Sequence, residues 1–185
     1  MFIRDTELSL RAATALVNSL PETAPEGVDA LASLDDLAAF LAEFPYTGVV
    51  RGDEVELSEL RGVRARLREL WTGDRVAAVP IVNAMLREGG ALPQLVIHDD
   101  YDWHIHATDD SAPLATRIVV EVAMAFVDVI RSDSFDRVRV CAADDCTAVY
   151  IDYSKNGSKR YCDTGNCGNR MNVNAYRRRK AEESE

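Results

Sequence analysis

The chain has 185 residues, 47% of them hydrophobic and 28% charged, with a formal net charge of −10. These proportions exclude an intrinsically disordered chain and leave room for one good core with a small module beside it. No apolar stretch is long enough to span a bilayer, because the longest, from Ile118 to Ile130, is broken by Glu121 and Asp128. No charged-then-apolar signal segment opens the chain, which predicts a cytoplasmic protein whose thiols meet a reducing medium.

The spacing of Leu8, Ala12, Ala15, Leu16 and Leu20 predicts a helix over 5–20, stopped by Pro21. Asn18 lies beside this stripe, where it is either a ligand-facing group or a buried amide satisfied by backbone. A loop rich in Pro, Glu and Gly covers 21–32. Ser33 and Asp36 predict the cap of a second helix bearing Leu37, Phe40, Leu41 and Phe44, ended by Pro45 and Gly48. Ser58 is the expected start of a third helix, with Leu60, Val63, Leu67, Leu70 and Trp71 on one face. Arg61, Arg64, Arg66 and Arg68 lie on or near the other, read as a solvated face paired with Glu54, Glu59 and Glu69 rather than a phosphate site. Gly73 ends it. A fourth helix is expected over 75–88, with Val79, Val82, Met85 and Leu86 apolar and Pro80 in its first turn, unless the helix begins at Pro80 itself.

Residues 94–107 change period. Leu95, Ile97, Trp103 and Ile105 flank the turn Asp99-Asp100-Tyr101-Asp102, which predicts a β-hairpin. His98, His104 and His106 are the three histidines of the chain, and His104 and His106 project to one face. With the nearby aspartates they make a candidate second metal site or a pH-responsive face. The plainer reading is the polar side of a hairpin. Ser111-Ala-Pro113 predicts the start of a helix through Arg131, apolar nearly all round, read as the central core helix and otherwise as a dimer face. Ser132–Phe135 is a junction, and Arg137–Val140 alternates as a short strand.

All four cysteines lie in the last quarter of the chain, as Cys141-AADD-Cys146 and Cys162-DTGN-Cys167. In a reducing compartment such pairs point to one structural zinc held by four thiolates. Disulfides, a redox pair and an iron–sulfur cluster are the alternatives. Four protein ligands leave no open position for water, which argues against a catalytic metal. Ala148, Tyr150 and Ile151 are expected to pair with Lys159-Arg-Tyr161 across Ser154–Ser158, with Asn156-Gly157 as the tight turn. A helix should then run from about Gly168 to Lys180. Knuckle, hairpin and helix together give a treble-clef-like arrangement, whose folding free energy should come mostly from metal binding.

Charge is divided along the chain. Residues 1–136 hold 11 basic and 24 acidic side chains, a balance of −13; residues 137–180 hold 10 and 4, a balance of +6. A basic segment behind an acidic bulk is the asymmetry expected of nucleic-acid contact.

The run Asn156-Gly-Ser-Lys-Arg-Tyr-Cys162, followed by Cys167-Gly-Asn-Arg170 and an Arg-rich helix, closely resembles the CGNR zinc finger. Proteins of that family are bacterial and usually carry an N-terminal ABATE domain, with an assigned role in stress-induced transcription. The resemblance implies that Cys141, Cys146, Cys162 and Cys167 bind zinc and that the finger contacts DNA. Ala15-Leu-Val-Asn-Ser-Leu20 is similar to a Val-Asn-Thr string of ABATE domains, and Asn83 to a Leu-Asn step. The expected layout is α+β: a mainly helical ABATE-like domain over 1–134 with one hairpin, and the zinc finger over 135–185.

The leading reading is a DNA-binding transcription regulator with a ligand-sensing or dimerising N-terminal domain. Its candidate duplex contacts are Lys155, Lys159, Arg160, Asn169, Arg170, Asn172, Asn174, Arg177, Arg178, Arg179 and Lys180. For Asn169 and Arg170, bracing of the zinc loop is an equal alternative. Candidate ligand residues are Asn18, Asn83, His104 and His106, for a small molecule; a homodimer and no membrane partner complete the expectation. An RNA module or a protein-interaction adaptor are the competing functions. No Gly-rich phosphate loop, nucleophile elbow or HExxH string supports an enzyme.

Overall fold

A computed structural model describes residues 2–24, 27–98 and 101–182. Its elements in chain order are helices α1 (Arg4–Asn18), α2 (Leu34–Glu43), α3 (Glu54–Arg68) and α4 (Arg75–Glu88), strands β1 (Gln94–His98) and β2 (Tyr101–His106), helix α5 (Leu114–Arg131), strands β3 (Val138–Val140) and β4 (Val149–Ile151), and helix α6 (Cys167–Glu182). The architecture is mainly helical α+β, with two separate antiparallel two-stranded sheets. No described helix is long and apolar enough to cross a membrane.

Helix α5 is the centre. Eleven of its residues are buried, including Ile118, Val122, Phe126 and Val129, and α1, α3 and α4 pack around it. Phe126 meets Trp71 edge-to-face with ring centroids 5.4 Å apart. Burial of one such aromatic contributes about 2–3 kcal/mol, so a stripe of this breadth dominates the stability of the bundle. Of the expected stripe Ala12, Leu16 and Leu20 are buried and Leu8 and Ala15 half-buried; Leu10, Ala13 and Val17 complete the buried apolar face of α1.

Local capping chemistry sets most helix starts. Ser33 and Asp36 form the expected reciprocal capping box of α2. Helix α3 starts four residues before the expected Ser58, because Asp53 accepts from the Glu56 N–H and caps it earlier. The buried Glu56 carboxylate then accepts from the N–H groups of Arg51 and Gly52. Pro80 lies inside α4, not in its first turn, because Asp74 caps the helix six residues upstream. Pro80 and Val76 are both exposed, so the carbonyl left without its helical donor faces water and the cost is small.

Two expectations about faces are overturned. Arg64 is buried, not solvated: it makes a two-pronged pair with Asp29 at 2.7 and 2.8 Å and bonds Ser19. The β1–β2 hairpin forms as expected, with Leu95 opposite Ile105 and Val96 opposite His104. Its apolar side, however, faces outward. Leu95, Ile97 and Trp103 are each more than half exposed, whereas His104 and His106 are half-buried.

Strand β4 has a different partner from the one expected. It pairs antiparallel with β3, Arg139 opposite Tyr150, and not with Lys159–Tyr161. The latter segment has no strand structure and is held by bonds that include Ala142 N–H to Arg160 O at 2.9 Å and Tyr150 Oη to Lys159 O at 2.7 Å. The alternation of β4 then serves two cores. Val149 and Ile151 are buried against the helical bundle, while Ala148 and Tyr150 are buried against the cysteines.

Candidate metal centre and nucleic-acid interface

The four cysteines, separated by up to 26 residues, converge at one point. Their sulfurs all lie within 4.8 Å of one another, with Cys146–Cys162 at 3.6 Å and Cys162–Cys167 at 3.7 Å. Four thiolates at the Zn–S distance of about 2.3 Å on a tetrahedron stand about 3.8 Å apart, so the cage matches one zinc ion. Cys141, Cys162 and Cys167 are buried, and all four are free of disulfides. Among the described residues no other group of three His, Cys, Asp or Glu side chains is placed to hold a metal. Asp99 and Asp100 of the candidate histidine–aspartate site lie outside the described residues.

The elements position each sulfur. Cys141 continues β3 and donates its N–H to Ala148 O at 2.8 Å, closing the knuckle. Its sulfur accepts the Cys162 N–H at 3.4 Å, a bond that spreads thiolate charge. Cys167 is the first residue of α6, where the helix dipole favours an anion. Burial pushes the Cys146 and Cys162 thiols up. Burial also opposes ionisation of Cys167, but the Arg170 guanidinium and the neighbouring thiols outweigh it and hold this thiol below its ordinary value.

Arg170 acts as a brace. Its Nη2 lies 3.1 Å from Cys167 Sγ, its Nε donates to Gly165 O at 3.2 Å, and both Nη atoms bond Asp145 of the first knuckle. A zinc with four thiolates carries two excess negative charges, which a bound guanidinium offsets. Asp152 is the second organiser. It is fully buried and accepts from the N–H groups of Ser154 and Lys159, each at 2.8 Å, with Arg139 3.4 Å away. Burial pushes its carboxyl up, yet these bonds hold it below the usual carboxylate value. Gly157 N–H donates to Ser154 O in a tight turn centred on Lys155-Asn156, one residue before the expected Asn156-Gly157 pair, with Gly157 at φ +57°. No spacing rule pointed to Asp145 or to the hub role of Asp152.

Residues 10–133 match the family model for ABATE, described as "Putative stress-induced transcription regulator". The chain belongs to the ABATE family. Residues 137–180 of this ABATE protein match the CGNR zinc finger, so the two modules stand in the expected order. No curated protein matches the chain. Neither matched family is an enzyme family.

The basic residues of the finger occupy three settings. Lys155 and Arg160 are exposed, Arg160 lying over the Tyr161 ring, while Lys159 pairs with Asp163 at 2.5 Å. Arg170 is engaged at the cysteines. Along α6, Gly168, Met171 and Ala175 are half-buried, and every residue from Tyr176 to Glu182 is exposed. The last seven residues thus stand clear of the body for about 10 Å. Asn169, Val173, Tyr176, Arg177 and Lys180 share the outward stripe; Asn172, Asn174, Arg178 and Arg179 lie on its flanks and rear. At the N-terminus of α6 a shallow hollow is lined by Lys159, Arg160, Asn166 and Asn169.

The four candidate ligand residues are not brought together. Asn18 bonds the backbone of Val149 in both directions, Nδ2 to the carbonyl and Oδ1 from the N–H, each at 2.8 Å. Asn83 is exposed on α4. His104 and His106 adjoin each other, with Nε2 atoms 3.2 Å apart, at the edge of a cavity between α1, α5 and β2.

Proposed function

We propose that this protein is a DNA-binding transcription regulator, in which residues 135–185 form a zinc finger that docks on duplex DNA and residues 1–134 form a sensory unit. Cys141, Cys146, Cys162 and Cys167 are the zinc ligands in this reading. The observation that carries it is the exposed, strongly basic end of α6, anchored rigidly on the cysteine cage of an otherwise acidic chain. Arg177, Arg178, Arg179 and Lys180 would neutralise phosphates, with Lys155 and Arg160 flanking them. Asn169, Asn172 and Asn174 supply amides suited to adenine edges. Lys159 and Arg160 beside the helix N-terminus suit a further phosphate. Arg170 is assigned to the metal instead.

A module for single strands needs exposed aromatic platforms. Of the four tyrosines near the finger, Tyr150 is buried, Tyr153 and Tyr161 are half-buried, and Tyr176 alone is exposed. This favours the duplex over RNA. An adaptor that never touches nucleic acid predicts no duplex binding at any salt concentration.

Fluorescence anisotropy of a labelled random duplex across a salt series tests the reading. Binding should weaken steeply with salt, and the triple change Arg177→Gln, Arg178→Gln, Arg179→Gln should reduce the slope of log affinity against log salt by about 2–3. Absence of binding at low salt in the zinc-loaded protein would sink it.

A further inference from the structure

The cavity between α1, α5, β2 and the 44–47 segment has a volume of about 380 Å³, within the range of small-molecule sites. Ala12, Phe44, Met124 and Ala125 give it an apolar lining. Its charged wall is one-sided: Asp5, Glu121 and Asp128 line it, and no Lys or Arg does so among the described residues. Two of the three carboxylates differ in how they are satisfied. Asp128 accepts the Thr6 hydroxyl at 2.5 Å. Glu121 is half-buried and has no hydrogen-bond partner among the described residues. Arg117 acts on it electrostatically, but its guanidinium is committed to the backbone carbonyls of Thr47, Val49 and Ala112. Burial therefore pushes the Glu121 carboxyl up to about 7, with Arg117 opposing and Asp5 adding to the rise. A carboxylate without a hydrogen-bond donor, on an apolar cavity that no Lys or Arg lines among the described residues, suits a cationic hydrogen-bond donor.

We propose that this cavity binds a small organic cation, an apolar body bearing a protonated amine, with its ammonium against Glu121. The site rests on the sensory reading of the N-terminal unit and specifies the chemistry of its ligand. Asp5 and Asp128 add negative potential, and the apolar lining takes the hydrocarbon body. The His104–His106 pair borders the cavity from β2 and the Tyr46 phenol from the 44–47 segment. Helix α1 supplies one wall of the cavity through Thr6 and Ser9 and bonds the finger through Asn18, so ligand and finger share one rigid element.

The test is isothermal titration of the zinc-loaded full chain with three probes of one shape: 3-phenylpropylammonium, 3-phenylpropan-1-ol and 3-phenylpropionate. The ammonium should bind at least about 10-fold tighter than the alcohol and tighter still than the carboxylate. Glu121→Gln should abolish that preference while leaving the thermal melting transition in place, and Ser9→Phe, which fills the cavity, should abolish binding of all three. Ammonium affinity should fall as pH drops through 7, because Glu121 must lose its proton to bind. Asp5, Asp128, Tyr46, His104, His106 and Arg117 also surround the site, so the pH slope that Glu121→Gln removes is the part assigned to Glu121. Equal binding of the three probes, no ammonium binding at millimolar concentration, or a preference retained in Glu121→Gln would each overturn the proposal. No DNA enters the titration, so failure of duplex binding leaves its result intact. An anisotropy series with and without the ammonium then separates the two: amine binding without a change in duplex affinity keeps the cation site and overturns its sensory role.

Discussion

Replacing Asn18 by Ala should cost the protein about 2–3 kcal/mol and loosen the finger from the bundle. Arg139 opposite Tyr150, and the Cys141 N–H bonded to Ala148 O, place Val149 at the non-hydrogen-bonded position between them. Its N–H and C=O therefore point away from β3, and Asn18 takes both, as an adjoining strand would. Val149 is 1% exposed, so removing the amide leaves a donor and an acceptor without partners. Each such orphan costs about 1–3 kcal/mol; the half-buried setting of Asn18 lets water recover part of this, which keeps the total near the low end of the summed range, about 2–3 kcal/mol. Asn18→Asp should be at least as harmful, because a carboxylate retains the acceptor but is repelled by the Val149 carbonyl. Urea unfolding followed by the fluorescence of buried Trp71, in a Trp103→Phe background, measures the loss. Hydrogen exchange at the Val149 amide reports whether it is local. A loss under about 0.5 kcal/mol with unchanged Val149 protection would refute the argument and return Asn18 to the ligand candidates.

Removal of zinc by a chelator should unprotect residues 141–148 and 159–170 in hydrogen exchange but spare β4, because Val149 and Ile151 are buried in the helical core; uniform loss through β4 would show that the metal holds both cores. Arg170→Gln should lower zinc affinity about 10- to 100-fold, measured by competition with a chromophoric chelator, and Arg170→Lys should recover only part of it. Acid should weaken the bundle at one identifiable point. The Arg64 hydrogen bond, against the effect of burial, holds the Asp29 carboxyl down to about 2, from an ordinary 3.8. The stabilisation is fully present above pH 4 and is lost as pH falls through 2, amounting to about 2 kcal/mol. Asp29→Asn should flatten the stability profile between pH 4 and 2, and an unchanged slope in that window would remove the pair from the account.

Some of the architecture is written locally. Ser33 and Asp36 lie one turn apart, so their reciprocal cap forms wherever the segment goes. The apolar breadth of Leu114–Arg131 leaves it no stable place except the centre. The 137–140 alternation is likewise local, and it does form β3. The partner of β4 differs from the expected one because tight-turn chemistry at Asn156-Gly157 suggests a hairpin, whereas the turn is instead fastened by Asp152 and by Arg139 bonding the carbonyls of Gly157 and Lys159. Arg64 and the hairpin histidines share one cause of misreading. Periodicity assigns a side chain to a face but does not say what covers that face, and Asp29 lies 35 residues from Arg64.

By itself the sequence determined the four-cysteine zinc cage, the order of the two modules, the mainly helical class and the concentration of basic charge on the last helix. Each of these follows from residue identity and short spacing, which survive without knowledge of any distant contact. Only the tertiary structure decided that β4 belongs to two cores, that Asn18 completes its backbone bonding across 131 residues, that Arg170 is turned to a cysteine sulfur, and that Glu121 lines a largely apolar cavity. These depend on which faces meet, and that is settled by the simultaneous burial of several helices rather than by any one segment.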